Sequence, residues 1–335
     1  MGIEQLKQIL LKSWDKDTCN PYQKEEWNKD NPSLGQCAIT SLIVNDIFGG
    51  KIMRCMSPSG SHYYNIVNDE RIDLTVDQFL GEFPQYENSE ERTREYLLSN
   101  EDTKKRYSLL KGKVDQKIID EKHVKNAMNF YLLATKLKYK IRSGWDKSHW
   151  NVSSDRIESI AEHVYGTCIL AISLNSEFGL NLDMEKVLKM LTIHEIGEVL
   201  IGDITPFDKI TEEQKAQMEH NAMKNVLGDL CDKDELFNLL MEFDEHNTRE
   251  SKFAYLCDKM EADIQAKVYQ DMGYQHSLDD QDNNIVFKSS AIKKMIENGA
   301  VSAFDIWYEW DKSKFEGEPV FEKTLSYIKK NNTNL

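Results

Sequence analysis

The sequence predicts a mainly α-helical chain: a small α+β domain at the N-terminal side, followed by an all-α domain. Three observations carry this reading. The middle of the first hundred residues holds short β-type runs separated by turn residues. From about residue 123 onward, apolar side chains recur at i, i+3 and i+4 in one segment after another. The length of 335 residues is enough for two separate cores. We expect the domains to occupy 1–110 and 120–330.

In chain order, Met1 to Trp14 reads as a short amphipathic helix with Ile3, Leu6, Ile9 and Leu10 on one side. Leu34 to Phe48 is an apolar helix stopped by Gly49-Gly50. Lys51 to Met56, His62 to Val67 and Arg71 to Leu74 read as strands, joined by turns at Ser57–Gly60 and Asn68–Glu70. The charge-dense region from Glu87 to Lys122 is expected to hold a surface helix and a linker. Helical spacing then marks Val124–Tyr139, Ser159–Phe178, Met184–Ile201, Glu212–Leu230, Asp234–Phe243, Ser251–Met272 and Ala291–Asn298. Gln275 to Asn284 reads as a long loop.

Composition narrows the partners. With 40% hydrophobic and 30% charged residues the chain is ordinary globular protein. A net charge of −15 argues against a nucleic-acid polymer, whose phosphates need Lys and Arg, but not against a small phosphate ester. No apolar run approaches the ~20 residues that span a bilayer, so no membrane partner is expected. The N-terminus lacks the basic start of a signal peptide, and Gly2 lacks a myristoylation context. Cys19, Cys37, Cys55, Cys168, Cys231 and Cys257 show no paired spacing, which suits a cytoplasmic, reducing location.

The chemistry concentrates in His194-Glu195-Ile196-Gly197-Glu198, followed by Gly202-Asp203-Ile204-Thr205-Pro206. Carboxylates inside an apolar helical pattern must be paired or bind a cation. His163 and Asp258 sit in similar apolar helical surroundings, so His163, His194, Glu195 and Asp258 form the candidate metal ligands. Imidazole with carboxylate suits one divalent ion among Mn, Fe, Co, Ni, Zn and Mg. Open positions on such an ion can polarise a phosphoryl oxygen and lower the pKa of a water.

On these residues, the stretch from ~123 to 275 resembles the HD-domain phosphohydrolases, specifically the small metal-dependent 5′-deoxynucleotidases. The matching segments are Leu137–Trp145, Arg156–His163, Ile193–Glu198, Gly202–Pro206 and Asp258–Glu261 continuing into Gln265–Tyr269. One departure stands out: the family's His-Asp pair is His194-Glu195 here, one methylene longer. The resemblance implies an all-α HD-domain bundle that releases phosphate from (deoxy)nucleoside 5′-monophosphates, often as a homodimer. It implies Glu198 as general base, Asp203 as the acid that assists the leaving group, and Arg142 as phosphate clamp with Arg156 as a second candidate. Trp145 has two readings, a ring that stacks on the base and a core tryptophan. His220 and His246 lie in polar contexts and read as solvent-facing, which favours one metal over two.

In the first domain Cys37 opens the apolar helix, where a helix N-terminus favours thiolate. Cys37, then His62, then Asp73 on the next strand is a nucleophile–base–orienter order. Residues ~20–85 resemble transglutaminase-like and papain-like thiol enzymes, and Asn31 to Phe79 resembles small bacterial proteins of the YunG type. Gln36 reads either as an oxyanion donor or as a cap. The alternative function is therefore a Cys37 thiol hydrolase or acyl transferase, with the helical domain binding nucleotide or regulating. A third reading keeps both sites for binding only.

Overall fold

The computed structural model describes residues 1–145, 150, 152, 157–205, 210–281 and 284–333. The chain divides into two compact units, Met1–Val124 and Lys125–Leu335.

Unit 1 places α1 (Ile3–Leu11) and α2 (Cys37–Phe48) with a four-stranded antiparallel sheet of β1 (Lys51–Ser57), β2 (Gly60–Val67), β3 (Glu70–Ile72) and β4 (Gln85–Arg92), in the order β3-β2-β1-β4. Then follow α3 (Arg94–Leu98) and α4 (Glu101–Ala134), and the boundary between the units falls inside α4. The apolar positions of the first helix meet those of the second: Leu6, Ile9 and Leu10 are buried with Ile39, Ile43, Val44, Leu110 and Val114. Each such side chain contributes roughly 1.5–3 kcal/mol on burial.

Three expectations change here. Helix α2 begins at Cys37 rather than Leu34, because Gly35 takes φ +70° in the preceding turn. Strand β3 ends at Ile72, so Asp73 follows the strand instead of closing it. The region read as surface helix and linker opens with a strand, β4, and continues as α3 and α4. Strand β4 pairs with β1 (Ile52 opposite Arg92, Arg54 opposite Glu90) and is the sheet's outer edge, where charged side chains blunt further pairing.

Unit 2 is helical: α5 (Ile160–Phe178), α6 (Met184–Ile193), α7 (Glu198–Ile201), α8 (Glu212–Leu227), α9 (Lys233–Glu245), α10 (Arg249–Asp271), α11 (Ser290–Glu297), α12 (Ala303–Asp311) and α13 (Pro319–Lys330). The central element is α10, which packs against α5, α6, α9, α12 and α13. Its small buried residues Ala254, Cys257, Ala262 and Ala266 let those neighbours approach from several sides. Helices α12 and α13 have no counterpart among the expected elements. The expected helix Met184–Ile201 is two helices, because the backbone tightens between them. Ile196, Glu198 and Leu200 donate their N–H groups to the carbonyls three residues back, at Ile193, Glu195 and Gly197. Among the described residues, no helix is long and apolar enough to cross a membrane.

Candidate metal centre

Each donor is delivered by a locally specified element. Ser159 caps α5 by accepting the Glu162 N–H at 3.2 Å, while Glu162 returns a bond to the Ser159 N–H at 2.9 Å. This capping box sets His163 in the first turn of α5. The tightened segment after α6 turns both His194 and Glu195 inward, and α10 supplies Asp258. Ligand atoms of His163, His194, Glu195 and Asp258 all lie within 4.8 Å of one another.

The contacts are those of a site built for a cation. His163 Nε2 lies 2.9 Å from Asp258 Oδ1 and 3.7 Å from Glu195 Oε1, and His194 Nε2 lies 3.6 Å from each of these oxygens. His194 Nδ1 is held 2.7 Å from the Leu191 carbonyl, so it donates there and leaves Nε2 as the free lone pair. That Nε2 is buried without a hydrogen bond. A buried acceptor with no donor, facing two carboxylates, fits a divalent ion of the imidazole–carboxylate class.

A second layer orients the first. Glu261 Oε2 lies 2.5 Å from His163 Nδ1, the carboxylate–histidine arrangement common behind metal ligands. It reaches the ring by passing Gly166, where a Cβ would lie 2.4 Å from Glu261 Oε1. Burial disfavours a charged His163, yet Glu261 and Asp258 outweigh it and raise its pKa to about 10. Glu195 is drawn down to about 2: burial opposes its charge, but His194 and Arg142 prevail. Arg142 Nη1 donates to Glu195 Oε1 at 3.0 Å, and Lys259 Nζ to Asp258 Oδ2 at 2.8 Å.

Glu198 is 6% exposed, with Oε2 lacking any partner, and burial followed by repulsion from Glu195 and Asp203 pushes it well above the usual carboxylate range. Asp203 Oδ2 accepts the Ser143 N–H at 2.7 Å. Both line a cavity of about 350 Å³ together with Arg142, His194, Glu195, Asp258 and Lys259.

Some expectations are corrected or refined. Trp145 is 1% exposed, donates its indole N–H to Glu158 Oε2 at 3.0 Å and packs on Tyr269 and Trp307, so it is a core residue whose edge forms the cavity wall. His220 and His246 are half-buried rather than solvent-facing: His220 bonds Asp244 at 2.9 Å, and His246 stacks on Tyr255 and lines the cavity. Arg156 and Pro206 lie outside the described residues. Sequence reasoning missed Glu261 and Lys259; their spacing of three and one from Asp258 on one helix was the available signal.

In unit 1 Cys37 and His62 line one cleft, and Asp73 stands behind His62. His62 Nε2 lies 2.7 Å from Asp73 Oδ2. Gln36 does not share it: the side chain is fully buried and its Nε2 donates to the Asp15 carbonyl, so neither the oxyanion nor the cap role holds.

The fold and the site of unit 2 define a helical protein with a candidate divalent-metal site of two histidines and two carboxylates. The chain belongs to the HD domain family through residues 134–298, and residues 2–119 belong to the YunG protein family. It is 36% identical over 121 residues to the 5′-deoxynucleotidase HDDC2 of Dictyostelium discoideum, covering 34% of this chain and 62% of that protein. It is 30% identical to HDDC2 of Bos taurus over 44% of this chain and 70% of that protein. An uncharacterized YunG protein of Bacillus subtilis is 31% identical over 30% of this chain and 83% of its own length. The likeness of residues ~20–85 to thiol enzymes has no support in these matches.

Proposed function

We propose that unit 2 is a metal-dependent phosphomonoesterase that releases phosphate from (deoxy)nucleoside 5′-monophosphates. The observation that carries this is the convergence of His163, His194, Glu195 and Asp258, the last three lining a cavity that also holds Arg142 and Glu198, whose buried Oε2 has no hydrogen-bond partner. About 350 Å³ is within the range of small-molecule sites. The ion supplies Lewis-acid charge to the phosphoryl group and an activated water.

The chain's own residues do the rest. Arg142, anchored by Glu195, presents its remaining N–H groups to phosphate oxygens in a planar fork. Glu198 takes the proton of the attacking water. Burial, then repulsion from Glu195 and Asp203, raises its pKa, and a bound divalent cation would offset the repulsive part. Asp203, oriented by the Ser143 N–H, hands a proton to the leaving 5′ oxygen. The 5′-deoxynucleotidase relatives support the substrate class. The six free cysteines support a cytosolic location.

The test is a phosphate-release screen of nucleoside monophosphates with several divalent ions, paired with metal analysis. Glu198→Gln is expected to lower kcat about 10²–10⁴-fold while retaining the metal. Undiminished release by that variant sinks the assignment, as does a wild-type protein that binds no divalent ion.

A further inference from the structure

We propose that the cleft of unit 1 is a second catalytic centre, a cysteine amidase in which Cys37 is the nucleophile and His62 the proton carrier. Asp73 is its positioning residue, and the substrate is an uncharged, peptide-like amide.

Residues far apart in sequence converge there. The cleft, about 500 Å³, is lined by Cys37 and His62 together with Asn20, Gln78, Phe79 and Tyr96. Cys37 is the first residue of α2, and Gln36 gives that helix no side-chain cap, so its leading N–H groups point their partial positive charge at the thiol. His62 is 1% exposed, and its Nδ1 is buried without a hydrogen bond. The edge of Phe79 holds the ring from the side, with centroids 4.9 Å apart.

Asp73 is fixed on every side. Its Oδ2 accepts from His62 Nε2 at 2.7 Å and from Tyr86 Oη at 2.8 Å, and its Oδ1 accepts the Thr75 N–H at 3.1 Å. Burial disfavours an imidazolium, but Asp73 and then Cys37 outweigh it and raise the pKa of His62 to about 9. The ring therefore carries a proton at Nδ1, and the Cys37 sulfur is the group that can receive or give it. Burial pushes the thiols of both Cys19 and Cys55 up to about 11, which disfavours their thiolates.

The chemistry balances with water as the only co-reactant. Cys37 sulfur attacks the amide carbonyl carbon, and the thiol proton resides on His62. The C–N bond breaks, the amine leaves with that proton, and a thioester remains on Cys37. Water attacks the thioester while His62 takes its proton. The C–S bond then breaks, the proton returns to sulfur, and the acid departs. The developing oxyanion has two donors at hand, the Cys37 main-chain N–H and the Asn20 side-chain amide. Asn20 is tied to the nucleophile turn by its N–H bond to the Gly35 carbonyl at 3.0 Å, and its Oδ1 is engaged by the Tyr22 N–H, which leaves Nδ2 free to donate. Among the described lining residues other than Cys37 and His62, only Arg106 is charged, and its Nε is committed to Asp102 at 2.6 Å. The neutral, hydrogen-bonding walls set the preference for an uncharged amide.

The full chain can be tested with three probes: iodoacetamide, p-nitrophenyl acetate and a neutral dipeptide p-nitroanilide, with adducts located by mass spectrometry. Cys37 is expected to alkylate at pH 6.5 at least about tenfold faster than the exposed Cys231, to gain the acetyl group, and to release nitroaniline. Cys37→Ser is expected to abolish acylation and amide hydrolysis and to leave phosphate release unchanged. Asn20→Ala is expected to slow acylation about a hundredfold without slowing alkylation, which forms no oxyanion. His62→Gln is expected to remove both reactivities, and the wild-type comparison of Cys37 with Cys231 stands even if that variant misfolds. Equal alkylation of Cys37 and Cys231 overturns the site, and acetylation of Cys37 without nitroaniline release overturns the amide assignment.

Discussion

Glycine 166 shows how a residue with no side chain can shape a metal site. Glu261 reaches His163 Nδ1 only by crossing the space a Cβ at 166 would fill, at 2.4 Å from Glu261 Oε1. Gly166→Ala is expected to displace Glu261, cost about 1–3 kcal/mol of stability and lower metal affinity. A melting curve and a metal titration measure the two effects; an unchanged affinity would show that Glu261 does not orient His163. The His62–Asp73 pair gives a different expectation, in pH. The folded pKa of His62, about 9, stands above the ordinary histidine value of 6.5, so its contribution is fully present below about 6.5 and is lost as pH rises through about 9. Asp73 moves the other way, since bonds from His62, Tyr86 and Thr75 overcome burial and lower its pKa. Its contribution is present above the ordinary aspartate value of 3.8 and is lost on acidification below it. Unit 1 should therefore melt at falling temperature as pH is raised from 6.5 past 9, and His62→Gln should flatten that limb.

Helix ends, more than helix middles, position the donors. The Ser159 capping box fixes the first turn of α5, from which His163 faces Asp258. Ser159→Ala is expected to cost about 1 kcal/mol and to loosen metal binding modestly, readable as a lowered melting temperature of unit 2 and a raised Kd for the ion. The same elements show what was legible in the sequence. His163, His194, Glu195 and Asp258 were visible because buried imidazole and carboxylate in an apolar helix are chemically conspicuous, and the geometry groups all four. The break between α6 and α7 was hidden, because the apolar pattern runs through it and only the shift to three-residue hydrogen bonding reveals it. Strand β4 was hidden for the opposite reason: as an edge strand it is mostly polar, so charge masked its pairing with β1. Helices α12 and α13 carried local signals that the sequence reading passed over, Ser302 as N-cap and Pro319 in the first turn. Glu261 depends on Gly166 across 95 residues of sequence, a coupling that no local pattern records.

The two units rest on separate cores: Leu6, Ile39, Val44 and Leu110 belong to clusters of unit 1, and Leu191, Met260, Phe304 and Leu325 to clusters of unit 2. Separate cores carrying separate chemistry should respond separately to what binds them. A divalent ion that binds native unit 2 at about a hundred times its Kd stabilises it by about 2.7 kcal/mol, or roughly 5–10 °C for a unit of this size. Binding should also release protons, since the carboxylates around His163 hold its pKa at about 10 and a coordinated imidazole must surrender that proton. Differential scanning calorimetry of the full chain is therefore expected to show two transitions. One moves up with the ion and down with a chelator. The other ignores the ion and moves with pH through the His62 titration. A titration in two buffers of different ionisation enthalpy would report the released protons for the first transition alone. A single transition moved together by metal and by pH would mean that the fused units fold as one cooperative body, and the independence of the two centres would fall with it.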